Sequence, residues 1–406
     1  MAVLAPFRAL RPAPSAAASV AAVPYDVVNA DEARALAAGN PLSFLHVSRA
    51  EIDCDRDVNP YDATVYEKAV WNFERLTKEA PLVVEEAPSL YVYRLRMGDV
   101  TQTGVAAGYS LDEYEHDIIK KHERTRQDKE DDRTRHLLAL RAQTGPVFLI
   151  HRAAPAIDQV VDQVMTSQRP LYDFSAPDEV RHTVWRVDAS HERPLVEAFA
   201  AVPTMYIADG HHRAASAARA RQRLRGGGAN AGEWDTVLAV AFPASQVRIL
   251  PYNRLVSDLG DRTTDAFVDA LRQRFSVQEG PAAPVRRGEV SMFLNGRWHT
   301  VALGEAGTGT PATDRLDVSR LQDLILNPLL GIGDPRSSKR IDFVGGLRGT
   351  GELERAVQSG RAAVAFSMHP VSVDDLMAIA DAGGIMPPKS TWFEPKLRDG
   401  LLSHLI

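Results

Sequence analysis

The chain has almost no cysteine. Its single thiol, Cys54, excludes an intramolecular disulfide and a cysteine-based zinc site. Cys54 also lies between Asp53 and Asp55, and neighbouring carboxylates raise a thiol pKa, so a nucleophilic role is not expected. No apolar run reaches the roughly 18 residues a membrane-spanning helix needs. There is no excess of positive charge either: the net charge is −6, which gives no electrostatic support for a nucleic-acid partner. The Ala/Pro-rich N-terminal stretch lacks a charged segment followed by a continuous apolar core, so a signal peptide is not expected. P-loop, protein-kinase and G-x-S-x-G signatures are missing. These absences fit a cytoplasmic protein and give no support for a membrane or a nucleic-acid partner. The oligomeric state stays open, a homodimer among the options.

What remains is an ordinary globular composition, 45% hydrophobic and 25% charged over 406 residues. That length suits two or three domains. The spacing predicts alternating helices and strands, an α/β (α+β) fold. The division expected is an N-terminal α/β region over 1–100, a core over 101–260 and a C-terminal α/β region over 261–406. Helices are predicted at Asp31–Ala38, Tyr61–Glu79 and, as one long element, 113–142. Leu90–Leu95 and Thr103–Tyr109 read as paired strands. The loop Arg225–Asn230 reads as a glycine-rich excursion.

The most informative stretch is Ala208-Asp209-Gly210-His211-His212-Arg213. An apolar strand (Met205, Tyr206, Ile207) precedes it and an Ala/Arg-rich helix follows. A helix start carries unpaired backbone N–H groups, which makes it an anion site. Gly210 allows close approach, His211, His212 and Arg213 add donors, and Asp209 could hold a divalent cation. The plain alternative is a turn with a solvent-facing basic cluster. Adjacent histidines do not reproduce the i, i+4 spacing of helical zinc motifs, so phosphate fits better than zinc.

A second constellation lies in Lys120–His136, which contains no apolar side chain. On a helix, His122, Thr125, Lys129, Arg133 and His136 share a stripe. The plain reading is a solvated charged helix. Without an apolar anchor, however, its inward face must be polar, and an acidic phosphate ligand would supply partners for it. Asp26, after the Pro24-Tyr25 turn, is either a second acidic ligand or a self-capping turn residue. Tyr252-Asn253-Arg254 and Lys389-Ser390-Thr391 read as structural polar clusters.

Several segments together resemble the DUF1015 family. They include Pro6-Phe7-Arg8-Ala9-Leu10-Arg11-Pro12, Val23-Pro24-Tyr25-Asp26-Val27, Lys121-His122-Glu123-Arg124-Thr125, Tyr206–Arg213, Pro251-Tyr252-Asn253-Arg254, and Met386–Thr391 with Phe393-Glu394-Pro395-Lys396. The strand–DGHHR–helix element is similar to the ParB/sulfiredoxin-like superfamily, whose free-serine kinases carry a His-Glu pair upstream of DGHHR. The resemblance implies a kinase forming O-phospho-L-serine from L-serine and ATP or ADP, with Mg2+. It implies Glu123 as base beside His122, and Asp209 as magnesium ligand or substrate orienter. Gly210, His211, His212 and Arg213 would hold phosphates, with Lys129 and Arg133 as further phosphate cations. Asp26 and Thr125 are the substrate contacts expected. Histidine stands where sulfiredoxin has its cysteine, which argues against that chemistry. The alternatives are a ParB-like nucleotide switch without catalysis and a metal-dependent phosphohydrolase.

Overall fold

The computed structural model describes residues 2–79, 82–226 and 231–406. Most of the predicted Arg225–Asn230 loop therefore lies outside the described residues. The chain forms two compact units, and the first is discontinuous. It comprises Met1–Lys121, Thr125–Val247 and Pro395–Ile406. The second comprises His122–Arg124 and Arg248–Glu394.

A mixed sheet organises the first unit. Its strands run, in spatial order, Ile119–Lys120, Met205–Asp209, Val147–His151, Thr236–Pro243, Val100–Ser110, Tyr91–Met97, Arg181–Arg186 and Tyr172–Ser175. Leu4–Ala5 also pairs with Val100–Ser110. Two pairings are parallel, Met205–Asp209 with Ile119–Lys120 and Thr236–Pro243 with Val147–His151. The central strands are nearly continuous apolar runs, as a sheet covered on both faces requires. Val147, Leu149, Met205, Ile207 and Ala239 pack with Ala214, Ala217 and Ala218 of the helix His211–Gly226. Alanine on that face lets the helix lie close to the sheet.

A smaller sheet orders Leu82–Val84, Ala9–Pro12, Ser403–Leu405 and Ala142–Gln143. The chain's last strand thus lies between strands from its beginning and its middle. Val65, Ala69, Phe73 and Leu76 bury one stripe of the helix Ala63–Glu79, close to the predicted element. Gly400 marks the entry to the last strand, at φ +81°. A Cβ there would run into the ring of Phe44. Gly400→Ala is expected to cost about 2–4 kcal/mol, from the clash and the left-handed backbone together. Urea denaturation of the two proteins checks this.

The long helix expected over 113–142 does not form. Leu111–Glu115 is one short helix, Ile119–Lys120 is an edge strand, and a new helix runs Gln127–Leu140. Asp117 takes a left-handed φ of +56° between them, which ends the first helix. His122 and Thr125 are therefore not on a helix, and the five-residue stripe is not realised. The polar inward face is real, though. Asp132, Thr134 and His136 are buried, and the chain supplies partners for two of them. Tyr66 Oη donates to Asp132 Oδ1 at 2.8 Å, and His136 Nε2 meets the Val47 carbonyl at 2.9 Å. Burial, with Arg133 nearby, lowers the His136 pKa to about 4, so the ring is a neutral donor. The helix Ala30–Ala37 also starts differently from expectation. Asn29 caps it in a box with Glu32.

The second unit is built on an antiparallel sheet. Its order is Ser276–Glu279, Arg297–Ala302, Glu289–Leu294, Val364–Met368, Tyr252–Val256, Ile341–Gly345. Arg248–Leu250 pairs separately with Trp392–Glu394. The two polar clusters read as structural meet here. Arg254 donates to the Tyr252 carbonyl and, at 3.2 Å, to the Lys389 carbonyl. The carbonyl of His122 accepts from the Met386 N–H at 2.8 Å. Among the described residues no helix is long and apolar enough to cross a membrane.

Candidate functional site

The strand Met205–Asp209 shifts register against its neighbour between Ile207 and Asp209. Such an irregularity re-aims side chains at a strand end. Gly210 follows at φ +92°, a conformation glycine adopts freely. A Cβ on it would lie 3.0 Å from Arg213 Nε. The helix then begins at His211. Its first turn brings the amide N–H groups that a helix cannot pair within itself.

Three aspartates surround Arg213. Its Nη2 is 3.0 Å from Asp209 Oδ2 and 3.7 Å from Asp26 Oδ2, and its Nη1 donates to the Pro146 carbonyl. The third is Asp399, whose charge also acts on the guanidinium. Burial disfavours the Arg213 charge, and the aspartates Asp26, Asp209 and Asp399 more than reverse that, raising its pKa. Asp209 is bracketed from another side by Lys396 Nζ at 3.5 Å. Burial works against its ionisation too, yet Lys396, Arg213 and His211 hold the carboxyl well below the usual range. Both cations lie deeper than Asp209 and Asp26. The side chains of Arg213 and Lys396 are 9% exposed, against 28% for Asp209 and 34% for Asp26.

Arg213 and Asp399 also line a cavity of about 50 Å³ with Tyr25, Ser48, Arg133 and His136. Arg213 Nε, Asp399 Oδ1 and Ser48 Oγ are buried without a hydrogen-bond partner among the described residues. Burial pushes the Asp399 carboxyl up to about 7, against the pull of Arg213. Between roughly pH 4 and pH 7 the unfolded chain releases this proton while the folded protein keeps it. Asp399 therefore lowers stability as pH rises through that window, at up to about 1.4 kcal/mol per unit. Asp209, with its depressed pKa, acts in the opposite sense and only below about pH 4. Asp399→Asn is expected to gain stability over the wild type from pH 4.5 to 7 and no further above pH 8. Urea midpoints across that range check it.

The expected residues fall into groups. Asp26, Asp209, Gly210 and Arg213 come together, with His211 buried at the helix start. His212 Nε2 accepts the Arg126 N–H at 3.1 Å, which leaves Nδ1 as the protonated nitrogen of the neutral ring. Arg213, expected to hold phosphate, has Nη1 on the Pro146 carbonyl and Nη2 beside Asp209 and Asp26. Arg133 pairs with Asp132 at 2.8 Å, lies 4.2 Å over the Tyr25 ring and shares the cavity with Arg213. Lys129 donates to Tyr61 Oη at 2.7 Å. Thr125 donates to Glu130 Oε1. His122 and Glu123 belong to the second unit. Among the described residues no group of three or more His, Cys, Asp or Glu side chains could hold a metal ion. Cys54 has its thiol pKa raised, by burial first and by its acidic neighbours as well.

A family model described as a protein of unknown function, DUF1015, matches residues 4–319. The chain belongs to the DUF1015 family. No curated protein matches the sequence. Similar solved structures include a conserved hypothetical protein from Pyrococcus furiosus, at 15% identity over 74% of this chain and 95% of that one, with a TM-score of 0.37. Free serine kinase in complex with AMP is similar at 15% identity, 73% and 92% coverage, and a TM-score of 0.38. SbnI with C-terminal truncation, from Staphylococcus aureus, is similar at 13% identity, 74% and 87% coverage, and a TM-score of 0.39.

In this DUF1015 protein the sequence reading missed Lys396 and Asp399 as site residues. Both follow the span matched by the family model. Lys396 lies in the Phe393-Glu394-Pro395-Lys396 segment that resembles the family, to which no role was given, and Asp399 lies beyond that segment.

Proposed function

We propose that this DUF1015 protein is a nucleotide-dependent kinase that phosphorylates free L-serine. One observation carries the reading. Two partly open carboxylates, Asp26 and Asp209, share one buried guanidinium at the start of a helix that can receive phosphate. The His-Glu pair supports it from the sequence.

In this mechanism the amides of Gly210, His211 and His212 hold the donor phosphates, with His212 Nδ1–H as a further donor. Arg213 and Lys396 set the charge and position of Asp209. The Glu123 carboxylate takes the proton of the serine hydroxyl as its oxygen bonds to the terminal phosphorus. The bond from phosphorus to the nucleotide oxygen breaks, and the nucleotide leaves one phosphate shorter. Alignment and charge neutralisation do most of the work in such a transfer. Magnesium fits the donor set, because it favours one or two carboxylates together with substrate phosphates over an all-protein cage. Asp209 and Asp26 are the residues that would hold it, and it would neutralise developing phosphate charge.

Purified protein incubated with Mg2+, ATP or ADP and L-serine is expected to yield phosphoserine by mass spectrometry. No phosphorylated product with any nucleotide, across an amino-acid panel, overturns the proposal. Free phosphate alone indicates a phosphohydrolase. Tight nucleotide binding without transfer indicates a switch.

A further inference from the structure

The segment Pro395–Ile406 is fixed at several points. Gln102 Nε2 donates to the Pro395 carbonyl at 3.0 Å. Arg398 pairs with Asp178 and reaches His182 Nε2 at 3.2 Å. Asp399 and Ala22 exchange backbone hydrogen bonds of 2.9 and 3.2 Å. The backbone on both sides of Lys396 is therefore set, and the side chain reaches Asp209.

The two cations on Asp209 differ in kind. Arg213 is a planar fork tied to Asp209, Asp26 and Pro146 at once. Lys396 is a point charge on a flexible stem, 3.5 Å from the carboxylate. Asp209 thus already has more than its own charge in neighbouring cations. A divalent ion binding to it would meet Lys396 at close range, and like charges in a buried site repel strongly. Phosphate oxygens arriving with that ion would give the ammonium a new anionic partner.

We infer that Lys396 is an exchangeable counter-ion. It pairs with Asp209 in the nucleotide-free protein and moves to a phosphate oxygen when a nucleotide enters with its divalent ion, releasing Asp209 to the metal. This rests on the phosphate and divalent-cation reading of the same turn. It makes Lys396 a positioning residue with opposite effects on the two ligands.

The test is Mn2+ binding to nucleotide-free protein, followed by electron paramagnetic resonance, alongside calorimetry of ADP in EDTA. Lys396→Met is expected to bind Mn2+ about tenfold tighter and metal-free ADP about tenfold weaker, from the loss of one close charge. Lys396→Gln should do the same, and Lys396→Arg should keep wild-type ADP affinity. Adding Asp209→Asn to Lys396→Met should abolish the gain in Mn2+ affinity. Unchanged or weaker Mn2+ binding by folded Lys396→Met and Lys396→Gln overturns the inference. A merely structural lysine would lower both affinities together with the thermal midpoint. The Mn2+ arm contains no nucleotide or serine. A gain there without any phosphoserine formation sinks the kinase reading and leaves the counter-ion role standing.

Discussion

Glu123→Gln is expected to lower the rate of phosphoserine formation by about 10²–10⁴-fold, the range a positioned general base contributes. The amide keeps the size of the side chain and removes its ability to accept a proton. Phosphate binding is assigned to Gly210, His211 and His212, so ADP affinity should stay within about twofold of wild type, well under 1 kcal/mol. Steady-state kinetics should therefore show the loss in kcat, with little change in KM for the nucleotide. A variant with full turnover would remove Glu123 from the base role. An equal loss of ADP affinity would instead make Glu123 part of the binding site.

Arg213→Met should destabilise the protein by about 3–5 kcal/mol, because removing one partner of a buried charge cluster strands the others. Three aspartates depend on this guanidinium, and its side chain is 9% exposed. The Pro146 carbonyl would lose its donor as well. Adding Asp399→Asn to Arg213→Met should recover part of that loss, since it removes one of the stranded acids. Chemical denaturation of the single and double variants measures the coupling. A loss below about 1 kcal/mol in Arg213→Met would put the guanidinium in the range of an exposed surface pair.

Local patterns were legible in the sequence where local physics decides. The apolar stripe Val65, Ala69, Phe73, Leu76 marked a helix, and alternation at 90–95 marked a strand. The Asp209-Gly210 break marked the junction of strand and helix. The segment 113–142 misled because Lys120–His136 within it carries no apolar residue and so has no period to interrupt. Its break depends on a left-handed Asp117 and on Ile119 joining a distant strand edge. The polar inward face was inferred correctly, but its partners were not. Tyr66 and the Val47 carbonyl, on two other helices, meet Asp132 and His136 there. Half of the site around Asp209 could be read, because Asp209, Gly210 and Arg213 are neighbours in sequence. No role for Lys396 or Asp399 could be read, for the opposite reason. Only the completed topology brings them to the turn.

That topology has a consequence for synthesis. Nearly all of the second unit, Arg248–Glu394, is spelled out between two pieces of the first, so the ribosome finishes it before Pro395–Ile406 exists. At 5–20 residues per second, the stretch Arg248–Glu394 takes roughly 7–30 s to translate. Throughout that interval the strand edges awaiting Ser403–Leu405 are exposed and Asp209 lacks its lysine. Chaperone dependence and aggregation during expression should therefore follow the fate of the last dozen residues more closely than any substitution in the second unit.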